Sequence, residues 1–210
     1  MVFKVMDDPL SVREARRRAR RGAILAVARA AFLEQGYAGT SMSTVAQALG
    51  GSKGTLWAYF ASKEELFAAV LDQLVEEYGP PPVLDPAAAV DRTLEGYAVG
   101  LLTTTLSPPI LALNRLVIAE SARFPDLGRL FYARAPERKL AVLAEWLVAQ
   151  MARGALRPAD PMRAAMHFHQ LTLGRQTRTL WGVEPLPADT ETIAADARAA
   201  TAVFLGGYAT

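Results

Sequence analysis

No cysteine occurs in the 210 residues, so disulfide bonds and thiolate metal sites are excluded and a reducing compartment is compatible. Long apolar runs are also lacking. The longest stretch without a charged residue, 96–114, contains three threonines and Pro108-Pro109, which makes it a poor membrane span. The first ten residues include Asp7 and Asp8 and do not resemble a signal peptide. We expect a cytoplasmic protein without a membrane partner.

Histidine is scarce as well, and the only two are His167 and His169. Residues two apart on a helix point about 200° apart, so this pair cannot easily grip one metal ion. The sequence also lacks a Walker-type phosphate loop and a GxSxG nucleophile elbow. We therefore predict no metal site, no cofactor and no enzymatic activity.

What the sequence does contain is a dense series of helix signals from residue 36 onward. Gly36 follows a periodic apolar run and is well placed to end a first helix. Thr40, Ser41 and Ser43 offer N-cap oxygens for a second, short helix. Gly50-Gly51 then permits positive φ in a tight turn.

A third helix is predicted from Lys53 to Tyr59, with Ser52 as its cap and Leu56 and Phe60 facing inward. A capping box at 62–65 predicts a fourth helix. Two short helices joined by a tight turn are typical of a helix-turn-helix, whose second helix enters the DNA major groove. The residues left for the outer faces of the third helix are Lys53, Thr55, Trp57 and Tyr59. The alternative is that Trp57 and Tyr59 are partly buried packing residues.

Arginine is distributed unevenly, although the net charge is only +2. Six arginines precede the apolar part of the first helix, and only Glu14 opposes them. They are Arg13, Arg16, Arg17, Arg18, Arg20 and Arg21. A basic arm over residues 1–17, next to a helix-turn-helix, is typical of phosphate binding. The alternative is a solvated helix start.

These residues together resemble the DNA-binding domain of the TetR family of bacterial transcriptional regulators, over residues 18–78 with the motif at about 41–60. The matching residues are Phe32, Gly36-Tyr37, Thr40, Val45-Ala46, Ser52 to Leu56, Tyr59-Phe60, Lys63 and Leu66. Gly51 and Trp57 depart from the usual small aliphatic residue and tyrosine. The basic arm and the resemblance imply contacts with double-stranded operator DNA by Arg17, Arg18, Arg21, Ser41, Ser52, Lys53, Gly54, Thr55, Trp57, Tyr59 and Lys63.

Prolines and glycines divide the remaining chain, 83–210, into further helices. Tyr78-Gly79-Pro80-Pro81-Pro82 marks the domain boundary, since three prolines cannot continue a helix. No segment alternates convincingly at period two, so we predict no sheet. The helices are expected near 86–104, 108–123, 126–151, 161–181 and 190–206.

The segment from Arg115 to Gly174 resembles the C-terminal domain of the AefR-like branch of the same family, with Glu120, Phe124-Pro125 and Leu127 in place. The resemblance implies a ligand-sensing core and a homodimer formed by the last two long helices. The candidate ligand residues are Tyr97, Leu101, Arg115, Phe131, Trp146, Phe168 and Trp181. The candidate dimer residues are His169, Leu173, Ile193, Ala197, Ala200 and Phe204. Ordinary core packing is the alternative for each.

We therefore expect an all-α protein with an N-terminal three-helix DNA-binding domain and a larger C-terminal domain for ligand binding and dimerisation. The implied function is a sequence-specific repressor, released from a palindromic operator by a small apolar or aromatic effector whose identity is unknown. A transcriptional activator of the same fold and a non-specific DNA-binding protein remain as alternatives. The latter would bind DNA nearly independently of sequence and with a steep salt dependence.

Overall fold

The structure is a computed structural model, and it describes residues 9–50, 53–78, 84–186 and 189–210. These residues form α-helices and no β-strand, apart from one isolated bridge between Leu156 and Ala209. The chain divides into two compact units, Met1–Gln73 and Leu74–Thr210. The predicted all-α class is confirmed, with a helix-turn-helix unit followed by a larger helical unit.

The helices that build the first unit are α1 (Pro9–Gly39), α2 (Met42–Ala48), α3 (Lys53–Trp57) and α4 (Lys63–Glu77). Gly36, at φ 76° and ψ 169°, breaks the helical conformation within α1, as its position after the apolar run predicts. The chain turns there, and Phe32, Tyr37 and Phe67 form a buried aromatic cluster with ring centroids 5.1–5.7 Å apart. This cluster packs the end of α1 against α4.

The second unit contains α5 (Val90–Thr105), α6 (Pro108–Glu120), α7 (Pro125–Arg134), α8 (Pro136–Ala152), α9 (Pro161–Thr172), α10 (Gly174–Leu180) and α11 (Thr190–Tyr208). Four of these helices begin with proline, whose missing N–H would be unpaired at that position anyway. Asp160 and Asp189 cap α9 and α11 through their side chains.

Two of the predicted helices are each divided in the structure. The helix expected over 126–151 is broken at Ala135, because Pro136 has no N–H to donate and its ring clashes with the preceding turn. The helix expected over 161–181 is broken at Leu173, where ψ is 7° before Gly174. The breaks let the separated helices pack on different neighbours: α7 contacts α6 whereas α8 contacts α9, and α10 contacts α6 whereas α9 contacts α11.

The core of the second unit is formed by α5, α8, α9 and α11. Phe168 packs edge-on against Phe204 with ring centroids 5.2 Å apart, and Tyr97 lies beside Phe168 at 6.2 Å. The indole N–H of Trp146 donates to the carbonyl of Asp85 at 3.1 Å, which ties α8 to the segment before α5. Within the described ranges no single helix is long and apolar enough to cross a membrane; α5 and α6 pass that test only as a pair bent by 72°.

Candidate nucleic-acid interface

The second helix of the first unit, α2, is held at its start by a reciprocal cap. Ser41 Oγ accepts from the N–H of Thr44 at 3.1 Å, while Thr44 Oγ1 accepts from the N–H of Ser41 at 2.8 Å. The hydroxyl of the neighbouring Thr40 is buried and donates to the carbonyls of Ala31 and Gly36. Ser41 is therefore the N-cap, and Thr40 instead satisfies carbonyls at the end of α1.

Gly50 follows α2, and its φ of 61° is the left-handed conformation that glycine accommodates. On the far side of the turn, Leu56 and Phe60 are both 2% exposed and anchor α3 in the core. This inward pair is the one that the sequence predicts. Gly51, Ser52 and the side chain of Lys53 lie outside the described residues.

The outward face of α3 presents an aromatic side chain. Trp57 is 49% exposed, which favours its predicted position on the outer surface over the alternative of a buried packing residue. Gly54 is exposed, and Thr55 and Tyr59 are partly exposed. The inward side of this five-residue helix is packed in the core, and its outward side forms a small exposed surface.

A basic groove lies beside the end of α3. It has a volume of about 270 Å³ and is lined by Glu14, Arg17, Arg18, Arg21 and Tyr59. The guanidinium of Arg21 also stacks on the ring of Phe60, 5.4 Å from its centroid. Residues 9–17 of the predicted basic arm are helical, so α1 holds these arginines in a fixed register; residues 1–8 lie outside the described part. Three cations against one carboxylate make the groove suited to a phosphate.

Lys63, another predicted DNA contact, is the first residue of α4 and makes contacts inside the protein. Its ammonium donates to the carbonyls of Tyr37 at 2.9 Å and Thr40 at 3.2 Å, and lies 4.1 Å from the centroid of the Tyr37 ring. The Tyr37 hydroxyl donates to Glu64 at 3.1 Å. Backbone hydrogen bonding at the start of α4, with help from Ser62 and Tyr37, holds the pKa of Glu64 below its usual value. Sequence reasoning missed this clamp because its partners are 23 and 26 residues away.

The candidate ligand residues are scattered over the second unit. Tyr97, Leu101, Trp146 and Phe168 lie in its core, and Phe131 is partly buried. Arg115 is exposed and donates to the carbonyl of Thr179 at 3.3 Å. Trp181 is 76% exposed at the end of α10. The structure therefore brings four of the seven into one core, and leaves Arg115 and Trp181 on the surface.

Most of the candidate dimer residues lie inside a single chain. His169, Ala197, Ala200 and Phe204 are all at most 5% exposed, whereas Leu173 and Ile193 are partly exposed. A side chain that is buried in its own chain has no surface left for a second copy. The outer faces of α9 and α11 instead expose a different set of apolar residues, namely Met162, Met166, Leu171 and Val203.

Comparisons with known proteins cover both units. Residues 92–210 match the profile of the AefR-like transcriptional repressor C-terminal domain, and residues 24–70 match that of the bacterial regulatory proteins of the tetR family. The HTH-type transcriptional regulator RutR of Escherichia coli K12 is 30% identical over 164 residues, covering 68% of this chain and 67% of that protein.

Two solved structures are similar over nearly the whole chain. The flavonoid-responsive regulator FrrA superposes with a TM-score of 0.80 and 35% identity, covering 91% of this chain and 97% of that one. A TetR-family regulator from Mesorhizobium loti gives a TM-score of 0.75 and 30% identity, with 91% and 98% covered.

Proposed function

The chain belongs to the tetR family of bacterial regulatory proteins, and from this premise we propose that it is a repressor that leaves its operator when a small aromatic molecule binds. It is a DNA-binding transcriptional regulator by family. The observation that carries the DNA-contact part of this proposal is the exposed Trp57 on a fully anchored α3, directly followed by the arginine-lined groove at Tyr59. The similarity to FrrA supports the part that concerns an effector.

In this proposal α3 enters the major groove and the groove beside it receives a backbone phosphate. A helix of five residues can reach few base edges, so Lys53, Thr55 and Trp57 would supply the base and near-backbone contacts. Arg17 and Arg21 are one helical turn apart on α1 and would contact phosphate oxygens together with the hydroxyl of Tyr59. Ser41, at the start of α2, would add a phosphate contact from its exposed position.

The protein is proposed to act as a homodimer, since one short helix reads too few base pairs for useful specificity. The outer face of α9 and α11 supports this step. It contains a shallow groove of about 440 Å³ lined by His167, Gln170, Leu171, Val203, Phe204, Gly207 and Tyr208. Val203 is 62% exposed and Met166 is 47% exposed on the same two helices. Contiguous apolar surface of this kind marks an interaction site in a monomer, and pairing two copies across it predicts a palindromic operator.

The effector is proposed to bind the core of the second unit. That core is rich in aromatic side chains, and the ring of Phe168 packs against both Tyr97 and Phe204. FrrA, a flavonoid-responsive regulator, shares 35% identity with this chain, so flavonoids are the first compounds to screen. An effector could favour a dimer in which the spacing of the two recognition helices no longer matches the spacing of the operator half-sites. Such an effector would shift the population away from the DNA-bound form. A coupling of about 1.4 kcal/mol suffices for a tenfold loss of operator affinity.

The test is selection of bound genomic fragments by the purified full chain at about 0.15 M salt, where screening is near physiological. One enriched near-palindromic motif, from which the protein is released by a screened aromatic compound, is the expected result. Uniform weak recovery of all fragments would instead identify a non-specific DNA-binding protein. A motif upstream of a promoter whose transcription falls when the protein is deleted would identify an activator.

A further inference from the structure

One acidic side chain lies within the arginine-rich face of α1. Glu14 lines the basic groove together with Arg17, Arg18, Arg21 and Tyr59. The four α1 positions are spaced i, i+3, i+4 and i+7, which places them on one side of the helix. From residue 9 to residue 21 the sequence contains six arginines and no other acidic residue. A carboxylate at this place opposes the binding of a phosphate, which carries the same sign of charge.

Glu14 forms an ion pair with Arg18 on the next helical turn. Oε2 of Glu14 lies 4.0 Å from Nη2 of Arg18, and the two side chains are 75% and 80% exposed. An ion pair as exposed as this one adds little to folding stability, and the i,i+4 spacing gives α1 only a small gain. The main consequence of the pair is that it offsets the charge of one of the three arginines that line the groove.

A DNA phosphate that enters the groove has to compete with Glu14 for Arg18. Carboxylate and phosphate oxygens both accept hydrogen bonds from a guanidinium, in the same bidentate geometry. In a groove of about 270 Å³ salt does not fully screen the repulsion between the two anions, because the Debye length is about 8 Å at physiological ionic strength. In the described part of the chain no carboxylate pairs with Arg17 or Arg21, so these two arginines are not subject to the same competition.

We propose that Glu14 lowers the affinity of the protein for DNA by holding Arg18 in an ion pair that a backbone phosphate must break. Arg18 therefore contributes less to DNA binding than Arg17 or Arg21. Because phosphate contacts carry no sequence information, the effect is the same on operator and on random DNA. This inference rests on the proposed function and identifies Glu14 as a residue that sets DNA affinity at the same groove.

Glu14→Gln tests the inference on the full-length protein, because it removes the charge and keeps the size of the side chain. The measurement is fluorescence anisotropy with a random-sequence duplex at several salt concentrations. At about 0.05 M salt the variant should bind about three- to fivefold more tightly than wild type, and the gain should shrink as salt is added. Glu34→Gln makes the same change at an exposed position roughly 30 Å further along α1 and should alter nothing. Unchanged or weaker binding by Glu14→Gln overturns the proposal, and weaker binding would mean that Glu14 only supports the helix.

A double-mutant cycle then assigns the effect to Arg18. Arg18→Gln should weaken binding less than Arg17→Gln does in the wild-type background, and should cost at least about threefold more affinity once Glu14 is replaced by glutamine. An equal cost in both backgrounds overturns the assignment to Arg18. Loss of affinity in Arg17→Gln and Arg21→Gln without a gain in Glu14→Gln overturns this inference alone. No effect of any of these variants overturns the proposed phosphate site as well.

Discussion

The ammonium of Lys63 donates a hydrogen bond to the backbone carbonyl of Tyr37 at 2.9 Å, and so joins the first residue of α4 to the segment where α1 ends. The same ammonium reaches the carbonyl of Thr40, the residue before the cap of α2. A cation placed on unpaired carbonyls at a helix end is stabilising. The position of α2, and through the turn that of α3, therefore depends on a contact within the protein.

Lys63→Met should lower the free energy of unfolding by roughly 1–3 kcal/mol, because two half-buried carbonyls lose a charged donor. Urea denaturation of the full chain measures this. Lys53→Met is the matched control: it makes the same change on the proposed recognition helix, and should weaken operator binding while leaving stability intact. A Lys63→Met protein of wild-type stability that nevertheless fails to bind operator would show that Lys63 acts on DNA alone.

The basic groove at Tyr59 should contribute to the salt dependence of DNA affinity. Arg17→Gln and Arg21→Gln should each weaken operator and random DNA alike, and should each reduce the slope of log affinity against log salt by about one. Fluorescence anisotropy at several salt concentrations gives the slope. Arg92→Gln removes an exposed arginine from α5 in the other unit and should change nothing. An unchanged slope in both groove variants would exclude the groove as a phosphate site.

The local features of the DNA-binding unit could be predicted from the sequence. The stop at Gly36, the cap at Ser41 and the inward pair Leu56 and Phe60 depend on neighbours within one or two helical turns. The break at Ala135 could also have been predicted, because Pro136 lies within the expected helix. The break at Leu173 has a weaker signal, a single glycine at the next position.

Long-range pairings could not be predicted in the same way. The partners of Lys63 and of His169 lie 26 and 72 residues away, and no periodicity specifies such distances. Helix periodicity likewise identifies an apolar stripe, but it does not show whether that stripe packs in the core of its own chain or against another chain. On α11 the stripe of Ala197, Ala200 and Phe204 faces the core of its own chain, and the opposite side carries exposed Val203. Only the packed structure shows which of the two sides of α11 is buried in its own chain.

Buried His169 should make the second unit sensitive to acid. Its pKa is about 4 in the folded protein against 6.5 ordinarily, so the unfolded chain takes up a proton first as the pH falls. The associated stability is present above about pH 6.5 and is lost progressively toward pH 4, amounting to roughly 3 kcal/mol. His169→Gln keeps a donor for the Tyr97 oxygen but does not titrate.

Thermal denaturation between pH 7 and pH 4 should therefore show a shallower loss of stability for His169→Gln than for wild type. The change is measured as a difference between proteins, which removes the contributions of carboxylates common to both. The exposed His167, which contacts Tyr208, is present in both proteins and therefore contributes equally to the two profiles. Parallel pH profiles for wild type and His169→Gln would mean that the buried ring carries no such linkage.

The face formed by α9 and α11 leads to a prediction that joins assembly to DNA binding. Val203→Arg places a cation in the apolar face that the proposed dimer would bury, so an unpaired charge would have to leave water when two copies associate. The dimer should dissociate in analytical ultracentrifugation, and operator affinity should fall to that of a single half-site. Val148→Arg adds the same charge at a 51% exposed position on α8 and should leave both properties unchanged. A Val203→Arg protein that remains dimeric with full operator affinity would place the interface elsewhere. A variant that becomes monomeric and still binds the full palindrome at wild-type strength would show that the two half-sites are read independently.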